Sequence, residues 1–118
     1  MTTSLVPSPA IETACANSDS AAYVASQVVK ATPGILYQVH GYNSAVAAQF
    51  IQLHDAASVP ADTAVPELII TVPASSNFAI DLGVYGKRFA VGIVVCNSST
   101  GPTKTVGAAD CYFSARYK

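Results

Sequence analysis

The sequence predicts an all-β chain: a single-domain antiparallel β-sandwich or jelly-roll-like barrel of about seven short strands, with an extended N-terminal arm. Three observations carry this. Apolar and polar residues alternate over short runs, turn-forming residues recur between the runs, and no long stretch repeats with helical spacing. At 118 residues with a hydrophobic fraction of 51%, the chain is long enough for one core and too apolar for disorder.

Residues 1–20 (MTTSLVPSPAIETACANSDS) hold Pro7 and Pro9 among Ser and Thr and show no sustained period. They read as an extended arm, or equally as a frayed terminus. Twenty extended residues reach about 65 Å, enough to cross a neighbouring subunit, so Val6, Pro7, Pro9 and Ile11 are candidate contacts. The β domain follows over 21–118. The Ala-rich stretch IETACANSDSAAYVASQVV contains Ser, Asn and Asp, which compete for backbone hydrogen bonds and argue against a helix.

SQVVKA (26–31) is the first strand, and Thr32-Pro33-Gly34 suits a type II turn. ILYQVHGY (35–42) places Ile35, Tyr37 and Val39 on one side and Gln38, His40 and Tyr42 on the other. QFIQLHD (49–55) sets Ile51 and Leu53 against Gln52 and His54, and a loop bracketed by Pro60 and Pro66 ends it. LIITV (68–72) and NFAIDLG (77–83) flank a short turn. In the second, Phe78, Ile80 and Leu82 share a face opposite Ala79 and Asp81. RFAVGIVVC (88–96) is apolar on both faces, the pattern of a strand covered twice. After a polar connection, DCYFSARY (110–117) sets Cys111, Phe113, Ala115 and Tyr117 on one face.

Charged residues make up only 11% of the chain, and the net charge is −1. So few charges leave little to solubilise a free monomer, which points to a surface covered by partner subunits. A monomer kept in solution by its Ser, Thr, Asn and Gln is the plainer alternative. The basic residues Lys30, Lys87, Arg88, Lys104, Arg116 and Lys118 are scattered, so nucleic acid, which needs a basic stripe, is not an expected partner. The longest apolar run, FAVGIVVC, is too short to span a bilayer, and MTTSLVPSPA has no secretory pattern, so no membrane partner is expected either. Cys15, Cys96 and Cys111 form neither a metal-binding spacing nor an even framework. They read as buried hydrophobes, with a Cys96–Cys111 bridge across a hairpin as the alternative.

His40 and His54 are the only histidines. If their strands pair as a hairpin in which opposed residue numbers sum to about 94, the two imidazoles face each other. A metal site would need further ligands such as Asp55, and the metal-helix spacings are absent. The preferred reading is a contact face of Gln38, His40, Tyr42, Gln52 and His54. No GxSxG, GxGxxG or P-loop occurs, so neither catalytic residues nor a cofactor are expected. Tyr23, Tyr42, Tyr85, Tyr112 and Tyr117 are candidate sugar-stacking residues if exposed, and core-edge residues otherwise.

FIQLHDAASVPADTAVP, with SSNFAIDLGVYGKRFAVGIVVCNSSTGPTKTVGAADCYFSARY, resembles small virion structural proteins of tailed bacteriophages, of the capsid-decoration (cement) or head-fibre type. The resemblance covers roughly residues 35–117. It implies a non-enzymatic protein on the capsid surface, assembled in the host cytoplasm and bound to the major capsid protein. It also implies a homo-oligomer, with a trimer favoured because closed symmetry repeats one weak contact. The alternative is a receptor- or glycan-binding module of a phage fibre or tail.

Overall fold

The computed structural model describes residues 15–118, and every strand in that range belongs to one of two antiparallel sheets. In chain order the strands are β1 (Ala16–Asp19), β2 (Ser26–Lys30), β3 (Gly34–Asn43), β4 (Gln49–Asp55), β5 (Leu68–Val72), β6 (Ser76–Asp81), β7 (Lys87–Phe89), β8 (Ile93–Ser98) and β9 (Cys111–Tyr117). The front sheet has the order β1-β9-β3-β6, with β7 also pairing β3; the back sheet has the order β2-β8-β4-β5. Pairing β1 with β9, β2 with β8, β3 with β6 and β4 with β5 nests the strands like one long ribbon folded at its middle. Rolling that ribbon brings β9 beside β3 and β8 beside β4. This is the topology of a jelly roll, and the predicted all-β sandwich is what the chain forms.

The inward residues of both sheets make one core. Leu36, Val39, Phe78, Phe89, Phe113 and Ala115 from the front meet Val29, Ile51, Leu53, Val72, Ile93 and Val95 from the back. Alternation was a sound guide in β6, where Phe78 and Ile80 are buried and Ala79 and Asp81 exposed. It was equally sound in β9, apart from Tyr117, which packs only against the margin of the core. In β3 it slips. A bulge between Leu36 and Gln38 in the pairing with β9 turns Leu36 inward together with Val39, so Ile35 and Tyr37 are not the core side of the first turn. Gly41 is fixed by close approach: a Cβ there would lie 1.9 Å from the Tyr112 carbonyl oxygen of β9.

Two expectations are revised. RFAVGIVVC is two strands in different sheets, β7 in the front and β8 in the back, separated by a turn at residues 90–92. Asp55 at the end of β4 makes that break. Its carboxylate accepts backbone hydrogen bonds from Ala90 (3.1 Å), Val91 (2.8 Å) and Gly92 (3.2 Å). The Val91 bond foremost, helped by Gly92, Ala90 and the Lys87 charge, lowers the carboxyl pKa below its ordinary 3.8 against a smaller opposing effect of burial. The prediction of double covering holds for β8, every residue of which is buried. Second, Ala16–Asp19 fall within the stretch read as an arm, yet they form β1 against β9. With the split of RFAVGIVVC, this brings the count to nine strands among the described residues instead of about seven. The arm residues before Cys15 lie outside the described residues.

Candidate interaction surface

The outer face of the front sheet is a flat array of side chains from β1, β9, β3 and β6. Register sets them in three rows. Asn17, Arg116, Gln38 and Asp81 form the first, Asp19, Ser114, His40 and Ala79 the second, and Tyr112, Tyr42 and Asn77 the third. Cross-strand bonds hold four of them: Arg116 Nη1 donates to Asn17 Oδ1 at 2.7 Å, and the Ser114 hydroxyl donates to Asp19. Asp81 Oδ1 accepts from the Gly83 N–H at 2.9 Å, tying this edge to the following turn. Asn17, Asp19, His40, Asn77, Ala79, Asp81 and Tyr112 are exposed, so no other described segment covers the array.

Each end of the array holds a groove. Beside the first row, Cys15, Tyr37, Gln38, Asp81, Val84 and Arg116 border an open hollow of about 400 Å³. Beside the third row, Ser20, Ala21, Ala22, Tyr23 and Tyr112 border one of about 370 Å³. There the Tyr112 ring centroid is 6.2 Å from both Tyr23 and Tyr42, with ring planes inclined by 34° and 26°.

The middle of the back sheet's outer face is closed, although Val28 and Ile69 on its edge strands are exposed. Gln52 and His54 of β4 point outward as predicted, beside Cys96 and Val94 of β8, but all four are buried. The connection from β8 to β9 lies over them. Gln52 Nε2 donates to the carbonyls of Thr100 (3.0 Å), Gly101 (2.8 Å) and Thr103 (3.2 Å), and Gln52 Oε1 pairs with His54 Nε2 at 3.0 Å. With the amide nitrogen committed to three carbonyls, its oxygen must accept, so Nε2 of His54 carries the proton. Burial, with a smaller contribution from nearby Lys104, lowers the His54 pKa below 6.5.

Lys104 anchors the cover. It is only 4% exposed, and its Nζ reaches Asp62 Oδ1 at 3.2 Å. Asp62 belongs to the β4–β5 connection, and two backbone bonds join the connections directly: Thr63 N–H to Lys104 O (2.7 Å) and Lys104 N–H to Ala64 O (2.8 Å).

The predicted contact face is therefore divided. Gln38, His40 and Tyr42 lie together on the open front array, whereas Gln52 and His54 lie on the opposite sheet beneath a loop. The hairpin that would place His40 across from His54 does not form: β3 pairs with β6, β7 and β9, and β4 with β5 and β8. Val6, Pro7, Pro9 and Ile11 lie outside the described residues. Among the described residues, no group of three or more His, Cys, Asp and Glu is placed to hold a metal ion. Cys96 lies under the back cover and Cys111 in the core, both as free thiols that burial pushes up to about 11, so the cross-hairpin bridge is absent. Arg116, Ser114, Asp19 and Asn17 are surface residues that the predicted face left out. The alternation of DCYFSARY carried the signal for the two on β9.

Among the described residues, no helix is long and apolar enough to cross a membrane. The sequence matches no protein-family model, no curated protein and no solved structure.

Proposed function

We propose that this chain is a non-enzymatic structural component of a tailed-bacteriophage virion, a decoration protein that self-associates and binds major capsid subunits on the head surface. One observation supports it above others: the front array is open and carries tyrosine and arginine side chains in register across its four strands. Tyr42, Tyr112 and Arg116, types enriched at interface centres, stand on it with no Lys or Glu beside them among the described residues. Alongside them are Asp19, Asp81, Ser114 and Ala79, which are types that interfaces deplete. Arg116, Asn17, Ser114 and Asp19 are already paired by cross-strand bonds, so these four lose little freedom on docking.

Size bears on how such a surface would work. Four strands about 4.8 Å apart and some five residues of about 3.4 Å each give roughly 300 Å². A stable pairwise interface needs about 800 Å² per partner. A single array is too small alone, and a trimer presenting three of them gains the rest through effective concentration. The jelly roll occurs in both capsid and lectin domains, so the fold by itself does not choose the role.

The reading is tested with phage heads assembled without this protein. Purified protein is expected to sediment with heads as an oligomer, and Arg116→Glu combined with His40→Glu to abolish that binding without changing the melting temperature. A stable monomer by light scattering that leaves heads undecorated overturns it.

A further inference from the structure

We propose that the groove at the tyrosine end of the front sheet is a binding site for a neutral sugar ring. The site is distinct from the array's Arg116 end and does not depend on where the protein is mounted.

The groove is built by anchoring. The segment between β1 and β2 is pinned to β9 on both sides of Tyr112. Ser20 N–H donates to Phe113 O at 2.9 Å, Ser20 Oγ accepts from Phe113 N–H at 3.0 Å, and Val24 N–H donates to Cys111 O at 2.7 Å. Between these pins the chain arches out through Ala21 and Ala22, whose small side chains leave the hollow of about 370 Å³ open. Tyr23 hangs from the far side of the arch and Tyr112 rises from the strand beneath, 49% and 39% exposed. Tyr42, directly across from Tyr112, supports it from behind at 6.2 Å. The rings are thus held before any ligand arrives, and tyrosine has few torsions left to freeze.

The lining selects the ligand class. Among the described residues no charged side chain borders the groove, so an anion or a cation would lose hydration without gaining a counter-charge. Aromatic faces and alanine methyls want an apolar surface, while phenol hydroxyls and the Ser20 hydroxyl want hydrogen-bonding partners. The Ser20 oxygen already accepts from Phe113, and its proton remains free to donate outward. A pyranose combines these demands, with C–H faces that stack on aromatic rings and a rim of hydroxyls. The volume sits at the small end of ligand sites, which suits one ring residue better than an extended peptide.

The test uses the whole chain and a panel of neutral methyl pyranosides and neutral oligosaccharides, followed by saturation-transfer NMR and titration calorimetry. At least one neutral sugar is expected to bind. Tyr112→Ala is expected to weaken it about tenfold or more and Tyr112→Phe only about twofold, since stacking survives loss of the hydroxyl. Arg116→Ala is expected to leave it unchanged, and its loss of head binding would separate this site from the docking array. Melting curves check that each variant folds, and Tyr23→Ala is the second probe should Tyr112→Ala fail to fold. No saturation transfer from any neutral sugar at millimolar concentration overturns the proposal. So does tighter binding of charged sugars, of a proline-rich peptide such as residues 4–10, or an affinity indifferent to both Tyr112→Ala and Tyr23→Ala.

Discussion

The front and back sheets are made of similar alternating strands, yet His40 of one lies in water and His54 of the other is 3% exposed. Both histidines occupy outward positions at the middle of a sheet. What separates them is a connection remote in sequence, residues 99–105, laid over the back face and locked by Gln52 and Lys104. A sheet face in this protein is therefore interior or surface according to the loop it receives, and the front face, which receives none among the described residues, is the one left for a partner.

Removing the lock breaks the contrast most strongly. Gln52→Ala leaves the Gly101 carbonyl and the buried His54 Nε2 without their side-chain partner, while the Thr100 and Thr103 carbonyls keep the hydroxyls of Ser98 and Thr100. The substitution is expected to cost about 1–3 kcal/mol in chemical denaturation. It should also open Cys96 to thiol reagents before global unfolding. A loss below about 0.5 kcal/mol would mean that the amide does not hold the cover.

The covered histidine also makes stability depend on pH. The folded pKa of His54 is depressed, so the unfolded chain takes up a proton at a higher pH than the folded one. Stability is complete above about 6.5 and declines as pH falls from there through the folded pKa. His54→Gln is expected to flatten the melting temperature between about pH 7 and pH 5. Equal slopes in wild type and His54→Gln would show that the imidazole is not shielded.

The smallest effect belongs to the open face. His40→Ala and Arg116→Ala are each expected to change stability by less than about 0.5 kcal/mol, measured by the same denaturation. A larger loss from either would mean that the array serves the fold and not a partner.

How much of this was legible in the sequence depends on the range of the interaction. Period-two alternation is local, and it assigned β6 and most of β9 correctly. It also gave the outward direction of Gln38, His40, Tyr42, Gln52 and His54. Covering is not local. Nothing near His54 announces that Thr100 to Lys104 will lie over it, and nothing near Val91 announces that Asp55 will break an apolar run into two strands. The bulge at Leu36–Gln38 was invisible for the same reason, since it is defined only against β9. Strand partners follow from nested pairing, in which the segments that meet are mostly the distant ones, and so a neighbour-to-neighbour hairpin guess failed for β3 and β4. The third row of the front face was half visible, because Tyr42 and Tyr112 could be placed outward but not opposite each other.

The nested order also sets how the chain must find its structure. Among consecutive strands only β4 and β5 pair directly with each other, and even they are separated by the Pro60–Pro66 loop. Every other ladder joins strands far apart in the chain, so the loop-closure entropy is spent before the contacts that reward it can form. Folding is expected in the slow range of all-β domains, milliseconds to seconds. Neither sheet can complete itself early, because β9 must arrive before β1 and β3 have their shared neighbour, and until then their edges stand unpaired and open to aggregation.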